Sequence, residues 1–136
     1  MKKDLGHLRR VYKKGSIDIS SVGTDPLKFF KKWFDDAQSS KNIDEPNAFS
    51  LSTIDKDNYP KSRIVLLKSF DSNGFVFYTN YDSSKGIDIS NNPKVCISFF
   101  WPFFERQIII KGTASKLKNK ISDKYFNSRP IGSRLG

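Results

Sequence analysis

Three groups of residues in this sequence have side chains that could bind a phosphate group. The first lies near the C-terminus of the 136-residue chain, where Tyr125 and Arg129 are four positions apart and so share one face of a predicted helix. Ser133 follows after a turn. Because a guanidinium makes paired charged hydrogen bonds and hydroxyls add neutral donors, these side chains could hold a phosphate. Alternatively, Tyr125 packs in the core and Arg129 is solvated.

The second group lies in the segment 62–70, SRIVLLKSF, where Arg63 and Lys68 flank four aliphatic residues. Charged residues rarely enter a buried strand without partners. They could lie at the strand ends and reach solvent, or they could bind an anion in a groove. Since successive side chains of a strand point to opposite faces, Arg63 and Lys68 would serve different groups unless a bulge brings them together.

The third group is Asp82-Ser83-Ser84-Lys85, at a predicted helix start. Backbone amides, hydroxyls and a lysine at such a position suit a phosphate, although serine and aspartate are also ordinary helix caps. Gln107 lies on a predicted strand, where it could be an edge residue or could hydrogen-bond a heterocycle. The single cysteine and single histidine argue against a disulfide framework, a metal site and a histidine-based triad.

The charge distribution is uneven along the chain. The net charge is +10, of which residues 1–14 carry +5 and residues 105–136 carry +6, while residues 15–104 carry −1. This excess either promotes solubility and nonspecific attraction to polyanions or reflects a phosphorylated ligand held between the two ends. The sequence shows no membrane-spanning stretch and no signal-peptide pattern at its start, so we expect a cytoplasmic protein without a membrane partner.

The elements that must position these groups follow from periodicity and from start and stop signals. Leu5, Leu8 and Tyr12 recur at helical spacing, which predicts a short basic helix over residues 3–14. Asp25-Pro26 is a strong start signal for an amphipathic helix that runs to about Ser39.

Alternating or apolar segments then predict five strands, at 49–54, 62–70, 75–80, 94–101 and 106–113. The second strand is expected to be buried on both faces through Ile64–Leu67, and residues 71–74 form a hairpin turn to the third. Asp82 is expected to cap a short helix that ends near Asn91, and a last helix spans about 118–128. Strands linked by short turns favour an antiparallel sheet or barrel.

Several segments stand out as a set when the sequence is read in order. They are RRVY (9–12), RIVLLK (63–68), FYTN (77–80), SSK (83–85), ERQ (105–107) and YFNSRP (125–130). Together they resemble the pyridoxamine 5′-phosphate oxidase family, from about His7 to Gly136. The resemblance implies one α+β domain over residues 1–136, an FMN-binding antiparallel split β-barrel with flanking helices.

The resemblance also implies a homodimer with FMN at the subunit interface, and a reaction. A hydride would pass from C4′ of pyridoxamine or pyridoxine 5′-phosphate to N5 of FMN. O2 would reoxidise the flavin, giving pyridoxal 5′-phosphate and hydrogen peroxide. In such an enzyme the cofactor carries the chemistry and the protein orients it.

Site residues follow from the same resemblance, which assigns no catalytic side chain. Arg63 and Lys85 would face the FMN phosphate, and the cofactor residues are Arg63, Ile64, Val65, Leu66, Leu67, Lys68, Tyr78, Thr79, Ser84, Lys85 and Gln107. Substrate would be held through its phosphate and covered by an N-terminal segment, with the residues Arg9, Arg10, Val11, Tyr12, Lys68, Tyr125, Arg129 and Ser133.

Two departures from the family pattern bear on activity. Ser84 stands where the family usually has arginine, which removes one charged phosphate contact. The chain also stops at Gly136, whereas family members continue with the last barrel strands and an Arg-Leu-His substrate motif. We therefore expect an incomplete barrel with weak FMN binding and little or no oxidase turnover.

Two other functions stay open at this point. One is a noncatalytic flavin-binding module of the same fold. The other is a basic nucleic-acid-binding domain, suggested by the charge of +10, although no motif of that class is present and we expect no nucleic-acid partner.

Overall fold

The computed structural model describes residues 2–17, 20 and 23–117. Its elements, in chain order, are α1 (Pro26–Ser39), β1 (Ala48–Ile54), β2 (Pro60–Asp71), β3 (Gly74–Phe77), α2 (Ser84–Asn91), β4 (Lys94–Trp101), a short 3₁₀ helix (Pro102–Phe104) and β5 (Arg106–Thr113). The predicted helix at 118–128 lies outside the described residues. No helix in the described ranges is long and apolar enough to cross a membrane.

The strands form an antiparallel sheet in the order β3-β2-β1-β4-β5. The hairpin predicted at 71–74 is present, with Asp71 paired to Gly74. Gly74 has a φ of 140°, a backbone conformation that favours glycine. The sheet curls into a half-barrel, and its two faces have different roles.

The inner face of the sheet carries the core. Phe49, Leu51 and Thr53 are buried at alternate positions of β1, as the alternation predicts. Helix α1 covers this face, and Phe30 lies at the centre of an aromatic cluster formed with Phe34, Phe70, Phe75, Phe99 and Trp101.

Helix α1 begins where its sequence predicts. The side chain of Asp25 accepts a hydrogen bond from the Leu27 amide at 3.0 Å, and Pro26 is the first helical residue. Arg106 ties the helix to β5, since its Nη1 lies 2.8 Å from Asp36 Oδ2 and its guanidinium lies over the Trp33 ring. The helix is therefore held by both packing and charge.

The prediction of a helix over residues 3–14 is wrong. This segment is irregular, and its partners lie far along the chain. The amides of Lys13 and Lys14 donate to Glu105 Oε2 at 2.9 and 3.2 Å, and Arg10 forms an ion pair with the same carboxylate. These long-range bonds replace the local ones of a helix.

The burial expected for β2 is also wrong in part. Val65 and Leu67 are buried, but Ile64 on the other face is 69% exposed. The reason is that α1 covers only the inner face of the sheet.

Two boundaries at the end of the hairpin differ from the prediction. Strand β3 ends at Phe77 rather than at residue 80, because the chain leaves the sheet there to reach α2. The cap of α2 is Ser83, whose Oγ accepts from the Gly86 amide at 3.2 Å. Asp82 instead donates its amide to the Asn80 side chain.

Candidate functional site

A cluster of charged and polar side chains lies where α2 meets the inner face. We call it the Asp88 cluster, and its members are Thr53, Lys61, Arg63, Ser84 and Asp88. Thr53 pairs with Lys61 and Leu51 pairs with Arg63 in the β1–β2 ladder. Opposed residues of an antiparallel ladder share a face, so β1 and β2 present these groups toward α2 together.

Asp88 is the centre of this cluster. Its side chain is buried, and its Oδ2 accepts a hydrogen bond from Thr53 Oγ1 at 3.1 Å. Lys61 Nζ lies 3.3 Å and Arg63 Nη2 lies 3.7 Å from the same oxygen. Two cations therefore face one carboxylate.

Arg63 is fixed by several acceptors. Its Nη1 donates to Leu51 O at 3.0 Å, to Thr53 Oγ1 at 2.8 Å and to Lys61 O at 3.3 Å. The sequence left open that Arg63 lies at a strand end and reaches solvent. This is not the case, because its guanidinium lies against the inner face. An arginine held in this way is preorganised, since little rotamer freedom is left to lose.

The start of α2 completes the site. Ser83 Oγ donates to Asn80 O at 2.6 Å and lies 3.1 Å from Thr79 Oγ1, so Thr79 is held beside the helix start. The amides of Ser84 and Lys85, as the first two helical residues, have no carbonyl partner within the helix. Such amides can donate hydrogen bonds to an anion.

Gly86 allows the preceding segment to lie against α2. A Cβ at this position would come within 2.5 Å of Asn80 O and 2.7 Å of Tyr81 O. Beside it, Tyr78 and Thr79 help to line a cavity of about 520 Å³ between β3, α2 and residues 113–117. The close contact of Gly86 with the Asn80 and Tyr81 backbone thus holds residues 78–81, which border the cavity, against the start of α2.

The expected cofactor residues do not all meet within one chain. Thr79, Ser84 and Lys85 lie at the start of α2, and Arg63 faces Asp88 one turn further along the helix. The side chains of Val65 and Leu67 are buried in the core, those of Ile64 and Leu66 lie on the outer face, and Lys68 is exposed at a bulge where the β2–β3 register shifts. The bulge therefore does not bring Lys68 close to Arg63, which lies five residues earlier on β2.

Gln107 lies on the outer face, opposite Phe100 in the β4–β5 ladder. It is separated from β2 by two strands, and Arg63 points to the other face. Nearby on the outer face, a row across four strands consists of Ile109, Ser98, Ser50 and Ile64. Phe100 and Ile109 are each 57% exposed, so this face is an open apolar patch.

The expected substrate residues at the N-terminus lie at the other end of the sheet. Arg10 Nη2 is 3.2 Å from Glu105 Oε1, and Arg10 Nη1 is 3.3 Å from Pro102 O, just after β4 ends. Arg9, Val11 and Tyr12 are exposed. Tyr125, Arg129 and Ser133 lie outside the described residues.

Sequence reasoning missed Lys61, Asp88 and Thr53 as members of the site. One signal was available for Lys61, because a residue two positions before Arg63 on a strand shares its face. Asp88 gave no such signal, since it meets β1 only through the packing of α2.

The five-stranded antiparallel half-barrel with α1 and α2 matches the class of split-barrel proteins, in agreement with the predicted fold class. Among solved structures, the chain is similar to PhzG from Burkholderia lata 383, in complex with tetrahydrophenazine-1-carboxylic acid. The TM-score is 0.79 at 27% identity, over 88% of this chain and 61% of that one.

A second solved structure gives the same fold. It is a pyridoxamine 5′-phosphate oxidase-related, FMN-binding protein from Nostoc punctiforme, with a TM-score of 0.63 at 15% identity, over 83% of this chain and 62% of that one.

The chain belongs to the pyridoxamine 5′-phosphate oxidase family. The family model with that description matches residues 36–136. The pyridoxine/pyridoxamine 5′-phosphate oxidase of Christiangramia forsetii is 55% identical over 136 residues, all of this chain and 64% of the relative. That of Leptospira interrogans is 43% identical over 136 residues, all of this chain and 63% of the relative. The chain thus spans less than two thirds of the length of these curated relatives.

Replacement of Gly86 tests the close contact that shapes the site. We expect Gly86→Ala to lower the free energy of unfolding by about 1–3 kcal/mol, because the added methyl group meets backbone oxygens that cannot move independently. Gly112→Ala is the matched control, since nothing lies within 4 Å of a Cβ there. Urea denaturation of both variants gives the comparison, and equal stabilities would contradict the role assigned to Gly86.

Proposed function

We propose that this chain binds FMN and takes part in oxidising pyridoxamine or pyridoxine 5′-phosphate to pyridoxal 5′-phosphate, with O2 as the acceptor. The observation that carries the proposal is that Thr79, Ser84 and Lys85 lie at the start of α2, while Arg63 faces Asp88 one turn along the same helix. The sequence resemblance assigns these four residues to FMN. Membership of the oxidase family supports the same function.

The chemistry of the cluster fits a phosphate monoester. Lys61 and Arg63 face the carboxylate of Asp88, and Lys85 adds a third positive charge in the first turn of α2. The amides of Ser84 and Lys85 add neutral donors that point out of the helix start. We therefore assign the FMN phosphate to this end of the inner face.

When bound, FMN supplies the hydride-accepting chemistry of the reaction. The residues of this chain bind the cofactor and the substrate and orient them. Arg63 and Lys85 hold the phosphate, and the segment at Tyr78-Thr79, which borders the cavity beside α2, contacts the rest of the cofactor. Lys68, Tyr125, Arg129 and Ser133 hold the substrate phosphate.

The N-terminal segment Arg9–Tyr12 covers the substrate in this proposal. Its position is set by Glu105, which binds the Arg10 side chain and the amides of Lys13 and Lys14. Glu105 is therefore a positioning residue for that cover.

A homodimer accounts for the cofactor residues that one chain keeps apart. Because Gln107 and Arg63 point to opposite faces, one chain does not present both to one flavin. In a homodimer packed through the outer faces, the second copy rather than the same chain supplies the Gln107 side chain. The exposed apolar patch with Ile64, Phe100 and Ile109 supports such packing, since patches of this kind mark interfaces.

Titration with FMN tests the assignment of the phosphate. We expect Arg63→Ala to weaken FMN binding more than Ser84→Ala, by roughly 1.5–3 against 0.5–1.5 kcal/mol, because a charged contact to the phosphate is worth more than a neutral one. Flavin fluorescence gives both affinities, and circular dichroism confirms that each variant is folded. Equal losses, or a larger loss at Ser84, would contradict the assignment.

Peroxide release tests the oxidase reaction itself. With saturating FMN and pyridoxine 5′-phosphate, we expect this chain to release hydrogen peroxide and pyridoxal 5′-phosphate slowly and in equal amounts. Saturable FMN binding without either product would instead identify a noncatalytic flavin-binding module. Absence of saturable FMN binding would overturn both functions.

A charge on the outer face tests the homodimer. We expect Ile109→Glu to convert a dimer of the 15.6 kDa chain to a monomer, because burying an unpaired carboxylate at the interface is unfavourable. Tyr59→Glu, at an exposed position in the β1–β2 turn, is the matched control and should remain dimeric. Light scattering measures both masses. A monomeric wild-type chain, or a dimeric Ile109→Glu variant, would refute this interface.

A further inference from the structure

We propose that Lys61 is a ligand of the FMN phosphate, and that it supplies the positive charge which Ser84 does not. This inference rests on the FMN site proposed above. It adds a residue that lies outside the motifs which carry the family resemblance.

The Lys61 ammonium lies at the start of α2. Its Nζ donates to Ser84 Oγ at 2.6 Å, which places the charge at the first residue of α2. The second partner is Asp88 Oδ2 at 3.3 Å. An ammonium has three N–H donors, so within the described part of the chain one donor remains for a phosphate oxygen.

The Lys61 side chain is more exposed than that of Arg63 and has fewer acceptors on the sheet. The Arg63 side chain is 23% exposed and directs Nη1 at three acceptors of β1 and β2. The Lys61 side chain is 39% exposed and turns toward the helix start. Of the two cations on this face of β2, Lys61 is therefore the one that an incoming anion meets first.

Asp88 orients Lys61 without neutralising all the positive charge of the cluster. The carboxylate is buried and is shared by Thr53 Oγ1 and the Arg63 guanidinium as well as by Lys61. Asp88 and Ser84 are four residues apart on α2, so both hold the ammonium from the same face of the helix. With Lys85 in the same first turn of α2, the cluster keeps an excess of positive charge for the phosphate.

The arrangement explains how a serine is tolerated at position 84. A hydroxyl cannot provide the charged contact of the arginine that the resemblance leads one to expect there. The Lys61 ammonium, 2.6 Å from that hydroxyl, places a charge at the same helix start. Lys61 and an arginine at position 84 would thus be alternative solutions to one requirement.

The first test removes the charge of Lys61. We expect Lys61→Gln to weaken FMN binding roughly tenfold, the lower end of what a charged hydrogen bond contributes, because the ammonium is partly solvated. Lys56→Gln removes the same charge from an exposed position in the β1–β2 turn and should bind FMN like the wild type. Unchanged binding by Lys61→Gln would overturn the inference.

The second test asks whether an arginine at position 84 replaces Lys61. In the Lys61→Gln background, Ser84→Arg should restore most of the lost FMN affinity. In the wild-type background it should change the affinity little, because the cation is already present. A similar gain in both backgrounds would show that the two positions act independently and would overturn the inference.

These variants also separate a phosphate contact from a purely structural role beside Asp88. Loss of FMN affinity through misfolding would appear as a lower midpoint of thermal unfolding, and Ser84→Arg would not reverse it. If Lys61→Gln does not fold, Ser84→Arg in the wild type decides alone, and a gain of about tenfold or more would refute the inference. A wild-type chain without saturable FMN binding would instead refute the proposed site as a whole.

Discussion

The buried carboxylate of Asp88 is the interaction on which the site depends. A carboxylate out of water requires partners, and its partners here come from β1 and β2, namely Thr53, Lys61 and Arg63. Because Asp88 belongs to α2, satisfying its charge fixes the helix over the inner face. The start of α2, with Ser84 and Lys85, is then held where an anion can meet both helix amides and strand cations.

The two faces of the sheet have different roles. The inner face holds the aromatic core around Phe30 at one part and the Asp88 cluster at another, so packing and the proposed cofactor contacts share one rigid surface. The outer face presents Ile64, Phe100 and Ile109 to the outside, next to Gln107. In the proposed dimer, that face both joins the copies and completes the cofactor site, which links assembly to function.

Local signals in the sequence predicted much of the fold. Asp25-Pro26 located α1, alternation located β1, and residues 71–74 located the hairpin, because each depends on neighbours in the chain. The segment 3–14 was mispredicted because its hydrogen bonds go to Glu105, far along the chain. The outer face of β2 was mispredicted because apolar residues there indicate burial, whereas α1 covers only the inner face. The motifs indicated Arg63 and Ser84. Lys61 shares a strand face with Arg63 and could have been inferred from it, whereas Asp88 meets the sheet only through the packing of α2.

The affinity ratio between FMN and riboflavin tests the central claim most directly, because the two flavins differ only by the phosphate. The account predicts that the wild-type chain binds FMN at least roughly tenfold more tightly than riboflavin at low salt, as expected for charged phosphate contacts. It also predicts that the ratio falls as salt rises, because ionic strength screens partly exposed charges. Equal affinities at every salt concentration would contradict a phosphate site at the start of α2.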